Sequence, residues 1–243
     1  MCGRVERSVV TKEQQGSDGT MSFESNSFSD RMVTLPRLNE PAPAFTAPTT
    51  HGKKSLEDYR GRWVVLFSHP ADFTPVCTTE FMGFAKAWPE FQSLNCDLLG
   101  LSIDSTFSHV AWARNIEEKF GVEIPFPIID DLSMEVAAAY GMIMPGASDT
   151  STVRTTFFID PEGILRAMIY YPMSNGRSID EFLRLIKAMQ TSDKHKIATP
   201  EGWQPGDDVI VPPPLTAEEA KERMKSDEYD CKDWYFCTRK PFE

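Results

Sequence analysis

The sequence predicts an α/β domain, a central mixed sheet flanked by helices, followed by a distinct C-terminal arm. Three observations carry this prediction. Between residues 62 and 190, short β-branched and aromatic runs alternate with longer stretches of helical period. Residues 154–160 and 164–171 are two strand-like runs joined by Asp160-Pro161-Glu162-Gly163, the chemistry of a hairpin turn. Past residue 195 the chain becomes Pro-rich over 198–214, which cannot continue a helix.

Residues 1–32 are rich in Ser, Gly and charge, show no periodicity, and are expected to form a flexible extension that includes Cys2. The main domain is assigned to 33–195 and the arm to 196–243. Residues 62–70 (RWVVLFSHP) form a buried strand closed by Pro70. Phe81, Phe84, Ala85, Trp88 and Phe91 give 78–95 a helical face, although Pro89 is expected to kink or break that helix. A second buried strand follows over 96–104, and Cys96 within it reads as a core thiol. Residues 109–120 are helical, 125–131 strand-like, and 134–141 a helix stopped by Gly141. After the hairpin, Ser178 caps a helix over 178–190, and 216–225 forms a short capped helix in the arm.

Length and charge narrow the function. A chain of 243 residues holds one full core plus an appendage. With 25 Lys and Arg against 36 Asp and Glu, the net charge of −11 repels nucleic acid and anionic membranes. No apolar run reaches bilayer length and none resembles a signal sequence, so the protein is expected to be cytoplasmic. Five cysteines, an odd number, suit reduced or reactive thiols better than a paired secreted framework.

The chemistry concentrates in residues 68–80, SHPADFTPVCTTE, which link a strand to a helix. Cys77 falls in the first turn of that helix, where unpaired backbone N–H groups and the dipole favour thiolate. Thr74 and Thr78 offer hydroxyls to an oxygen ligand, and the prolines fix the loop and exclude water. A thiolate that displaces an oxygen leaving group also needs donors aimed at that oxygen. Arg154, at the start of a neighbouring strand, is the candidate, with Glu80 to orient it. On the residues alone, a surface ion pair explains Arg154 equally well. His69 either tunes Cys77 or is a packing residue.

The segment 68–80 resembles the active-site motif of peroxiredoxins, and the similarity extends over about residues 33–243. The resemblance implies a thioredoxin-like fold, Cys77 as the peroxidatic cysteine that becomes a sulfenic acid, and a peroxide pocket of Pro70, Thr74 and Arg154 supported by Arg177. The arm resembles that of the one-cysteine-like subgroup, and its Cys231-x5-Cys237 tail resembles archaeal-type thioredoxin peroxidases. That implies a homodimer, or a ring of dimers, in which Cys237 bonds to Cys77 of the partner subunit and Cys231 then exchanges with Cys237. Which of the two resolves Cys77 stays open at this level.

No nucleotide fingerprint, phosphate loop or metal-ligand cluster appears, so neither cofactor nor metal is expected. Electrons then come from an external thiol, either thioredoxin through a Cys231–Cys237 disulfide or glutathione if Cys77 works alone. Cys77 is followed by Thr78, Thr79 and Glu80, not by the Cys-x-x-Cys of a disulfide oxidoreductase. Arg62 stands where some one-cysteine relatives carry a lipase serine, which argues against phospholipase activity. A holdase chaperone assembly is the non-enzymatic alternative.

Overall fold

A computed structural model describes residues 35–148 and 150–240. The predicted extension 1–32 and Cys2 lie outside the described residues. A small ribbon, β1 (Thr46–Ala47) and β2 (Lys54–Ser55), leads through a 3-10 turn into β3 (Trp63–Ser68). Every residue of β3 is buried, as a continuous apolar run in the middle of a covered sheet should be. Helix α1 (Pro75–Ser93) follows, then β4 (Cys96–Ser102), α2 (Thr106–Phe120), β5 (Ile128–Asp130) and α3 (Glu135–Ala139). The hairpin β6 (Arg154–Ile159) and β7 (Leu165–Tyr171) leads to α4 (Ile179–His195).

The five strands order as β5-β4-β3-β6-β7. β3, β4 and β5 run parallel, whereas β6 is antiparallel to β3 and to β7, which makes the expected mixed sheet. The pleat divides the core in two. Val64, Leu66, Leu99, Leu101 and Phe157 face one layer with Tyr140. Val65, Phe67, Leu98 and Phe158 face the other, with Phe81, Phe84, Trp112 and Phe182 from the helices. In that second layer the Phe67 and Phe84 rings stack with centroids 4.1 Å apart.

Several expectations change in detail. The first long helix begins at Pro75, not residue 78, because proline is favoured in a helix's first turn, where its missing N–H costs nothing. It also runs unbroken through Pro89, against the expected interruption. Phe84 and Phe91, fully buried on either side, hold both halves against the core and offset one missing backbone bond. The strand expected over 125–131 shortens to Ile128–Asp130, since Pro125 and Pro127 cannot donate to a ladder.

The arm contains more order than its sequence announced. β8 (Val209–Ile210), α5 (Ala217–Arg223), β9 (Asp230–Asp233) and β10 (Phe236–Arg239) follow one another, and a three-stranded sheet forms in the order β8-β10-β9. Thr216 and Glu219 form a reciprocal capping box at the start of α5. Cys231 pairs in register with Cys237, and the two are joined by a disulfide. Among the described residues, no helix is long and apolar enough to cross a membrane.

Candidate active site

Strand β3 ends at Ser68 and the chain turns through Pro70, which is buried, toward α1. Three hydroxyl contacts tie this turn to the strand beside it. Ser68 donates to the Val153 carbonyl at 2.6 Å and lies 2.7 Å from the Thr155 hydroxyl, while Thr152 donates to the His69 carbonyl at 2.7 Å. Phe73 takes a positive φ of 54° at the tip of the turn, a conformation that bulky residues seldom adopt. The turn therefore enters α1 at a set angle.

Thr74 is the N-cap residue of α1, so Cys77 sits in its first turn, as the sequence indicates, and is fully buried. The Thr74 hydroxyl donates to the Ala71 carbonyl at 2.9 Å, which commits its proton and leaves its oxygen able to accept. Thr78, expected to serve the same purpose, does not. Its hydroxyl donates to the Thr74 carbonyl at 2.8 Å and accepts the Trp112 indole N–H at 3.3 Å, so it is spent on structure.

Arg154 opens β6, antiparallel to β3, and this pairing brings a residue 77 positions away onto Cys77. Its Nη1 donates to Cys77 Sγ at 3.2 Å and to Glu80 Oε2 at 2.7 Å, and its Nε donates to the Met173 carbonyl at 2.9 Å. Glu80 lies about one helical turn after Cys77 and also receives Arg177. The Arg177 backbone N–H and Nε reach Oε1, and Nη2 reaches Oε2, each at 2.9 Å. Arg177 Nη1 is taken by the Thr155 carbonyl at 2.8 Å, and its guanidinium lies 5.2 Å from the centre of the Phe67 ring. Burial pushes the Glu80 carboxyl up, but the charge and hydrogen bonds of Arg177, together with Arg154, outweigh it and hold Glu80 below its ordinary value.

His69 is brought close to this site but faces another network. Its Nε2 lies 2.8 Å from Asp72 Oδ1, and Asp72 Oδ2 lies 2.8 Å from His109 Nδ1. His109 Nε2 meets the Ile129 carbonyl at 3.0 Å. All three side chains are buried, with His69 edge-on to Phe81 at a centroid distance of 4.8 Å. Burial lowers the His69 pKa despite Asp72, so the ring stays neutral. Burial raises the Asp72 carboxyl, but hydrogen bonds from His109 and His69 outweigh this and hold it well below the carboxylate range. The atoms lie within 4.8 Å of one another, a grouping that could hold a metal. All of their polar atoms except His69 Nδ1, which is buried without a partner, are paired with each other or with Ile129, so the cluster is a hydrogen-bonded network with one open nitrogen. Asp72 and His109 went unnoticed in the sequence because they lie 37 positions apart on a loop and a helix.

The structure thus gathers Cys77, Thr74, Arg154, Glu80, Arg177 and Pro70 around one turn, with His69 beside them. Cys231 and Cys237 stand apart in the arm's sheet, bonded to each other. Cys96 is buried in β4, where burial pushes its thiol far up, consistent with a core residue. The site can hold a sulfur nucleophile, a cation that touches it, and an adjacent acceptor oxygen.

Comparison with known proteins identifies the family. Residues 38–168 match the AhpC/TSA family and residues 188–227 match the C-terminal domain of 1-Cys peroxiredoxin. A peroxiredoxin of Aquifex aeolicus is 58% identical over 220 residues, covering 86% of this chain and 99% of that one. One from Methanosarcina mazei is 53% identical over 215 residues, covering 85% and 98%. Among solved structures, a yeast mitochondrial 1-Cys peroxiredoxin, studied for thiol resolution via glutathione/thioredoxin systems, superposes with a TM-score of 0.75 at 41% identity, covering 85% of this chain and all of that one. Peroxiredoxin 6 of Arenicola marina gives a TM-score of 0.77 at 35% identity, covering 86% and 99%. With the family match spanning more than half the chain and relatives above half identical over most of it, the chain belongs to the peroxiredoxins, the thiol peroxidases of the AhpC/TSA family.

Proposed function

We propose that this peroxidase reduces hydrogen peroxide and organic hydroperoxides through a sulfenic acid on Cys77. The observation that carries the assignment is the Arg154 guanidinium, 3.2 Å from Cys77 Sγ and held there by Glu80 and the Met173 carbonyl. The Cys77 thiolate attacks one peroxide oxygen, the O–O bond breaks, and the departing oxygen takes a proton to leave as water or an alcohol. Arg154 stabilises the charge that develops on the leaving oxygen, while Thr74 accepts a hydrogen bond from the attacked one. Pro70 keeps water from the sulfur, and Glu80 and Arg177 position Arg154 without touching the peroxide. Loss of peroxide consumption in Cys77→Ser is the expected result, and full turnover by that variant refutes the assignment.

The sulfenic acid is then resolved by Cys237 of the partner subunit, with loss of water and formation of a disulfide to Cys77. Cys231 displaces Cys77 from it and forms the Cys231–Cys237 disulfide, which thioredoxin reduces. In this scheme residues 33–195 carry the chemistry and 196–243 form an arm that reaches a second copy. The arm's exposed Leu215, Met224 and Trp234 support a covered role in a homodimer. The expected setting is the cytoplasm. After peroxide treatment, non-reducing gels of Cys231→Ser, which traps the intersubunit bond, should show a covalent dimer that further replacement of Cys237 by Ser abolishes, and a monomer band in Cys231→Ser overturns this route.

One observation favours a second reading. Cys237 is buried and bonded to Cys231, so in this state it is not a free thiol. If Cys77 works alone, glutathione recycles it, and peroxide turnover with glutathione stays unchanged in Cys231→Ser and Cys237→Ser.

A further inference from the structure

The two sulfurs of the arm's disulfide occupy unlike surroundings. Cys237 lies on β10, the central strand of the β8-β10-β9 sheet, and is fully buried. Cys231 lies on β9, an edge strand, and is partly exposed. Thiol–disulfide exchange requires the attacking thiolate to approach one sulfur while the other leaves, so access decides which is attacked. β10 is flanked in the sheet by β8 and β9, and the Cys237 side chain is fully buried.

We propose that Cys231 is the sulfur through which an external dithiol delivers electrons, with Cys237 as the leaving group. A reductant thiolate bonds to Cys231 and breaks the Cys231–Cys237 bond. The electron pair stays on Cys237, which takes up a proton. The reductant's second thiol then displaces Cys231, leaving an oxidised reductant and two thiols on the arm. Cys237 can hold its new proton where it stands, because the carbonyl oxygens of Asp233 and Trp234 lie 3.4 and 3.9 Å from its sulfur. Tyr235 and Phe236, exposed on the same hairpin, give a protein-borne dithiol apolar surface to cover beside Cys231. Along this route Cys231 has already released Cys77, so the reductant acts on the arm and not on Cys77. This order of attack rests on the recycling route proposed above.

The test uses the full chain carrying Cys77→Ser, oxidised with diamide, so that exchange at the arm is read without peroxide. It is treated briefly with glutathione as the probe thiol, quenched in acid, and alkylated. Trypsin cuts after Lys232 and so places Cys231 and Cys237 on separate peptides. Glutathione should appear on Cys231 in at least about tenfold excess, with the alkyl label on Cys237. A preference for Cys237, an equal split, or no adduct on either sulfur overturns the proposal. The recycling route is tested separately by the Cys77–Cys237 dimer that peroxide should trap in Cys231→Ser. Loss of that dimer with the adduct still on Cys231 refutes the route alone, and a normal dimer with the adduct on Cys237 refutes the order of attack alone.

Discussion

Replacing Glu80 by Gln tests whether the carboxylate positions Arg154. Four donors converge on Glu80: Arg154 Nη1, and the backbone N–H, Nε and Nη2 of Arg177. An amide keeps one acceptor oxygen and turns an NH2 group toward guanidinium N–H groups, so at least one contact becomes donor against donor. It also leaves two buried cations without a counter-charge, since both arginines are almost fully inaccessible. Removing one partner of a buried ion pair costs about 3–5 kcal/mol, which for a domain of this size lowers Tm by roughly 6–20 °C. Calorimetry measures the stability loss, and initial rates of peroxide consumption measure a fall in kcat/KM of about 10²-fold as Arg154 loses its aim. Glu80→Gln combined with Arg177→Met should be less destabilised than the sum of the single variants, because one unpaired charge is gone. A Glu80→Gln variant within about 1 kcal/mol of wild type, with unchanged peroxide kinetics, refutes the reasoning.

Arg154→Lys keeps the charge but not the fork that reaches Cys77, Glu80 and Met173 together, so kcat/KM for peroxide should fall about 10²–10³-fold in initial-rate assays. Glu80 and Asp72 are both held below their ordinary values of 4.5 and 3.8, so each binds protons more readily unfolded than folded. Their contribution to stability is therefore complete above about pH 5 and lost as pH falls through the folded values, which urea titrations between pH 7 and 3 should record. Glu80→Gln should flatten part of that acid-side slope. Cys96, buried and with its thiol pushed far up, should resist iodoacetamide in the folded protein and react once urea unfolds it, as peptide mapping reads directly.

The main body of the fold was legible because its signals are local. The apolar run of β3, the Asp160-Pro161-Glu162-Gly163 turn and the Ser178 cap each name an element without reference to anything distant. The helix-breaking tendency of Pro89 was overruled, since the α1 rings of Phe84 and Phe91 on either side of it are held by the core they pack into, which local sequence does not record. The arm's sheet escaped notice because β8, β9 and β10 are two to four residues long and their pairing joins segments that show no period-2 pattern.

The site divides along the same line. Residues 68–80 alone determined that Cys77 lies at a helix start beside Thr74, because proline placement and the strand-to-helix switch are encoded within a dozen positions. Only the tertiary structure decided that Arg154, rather than another basic residue, touches the sulfur, because the antiparallel pairing of β6 with β3 supplies that contact. It also decided that Thr78 serves Trp112, that Asp72 joins His69 to His109, and that Cys231 is the more accessible of the arm's bonded pair. Each depends on which residues a folded sheet brings within 3 to 4 Å or buries, and sequence spacing carries no record of that.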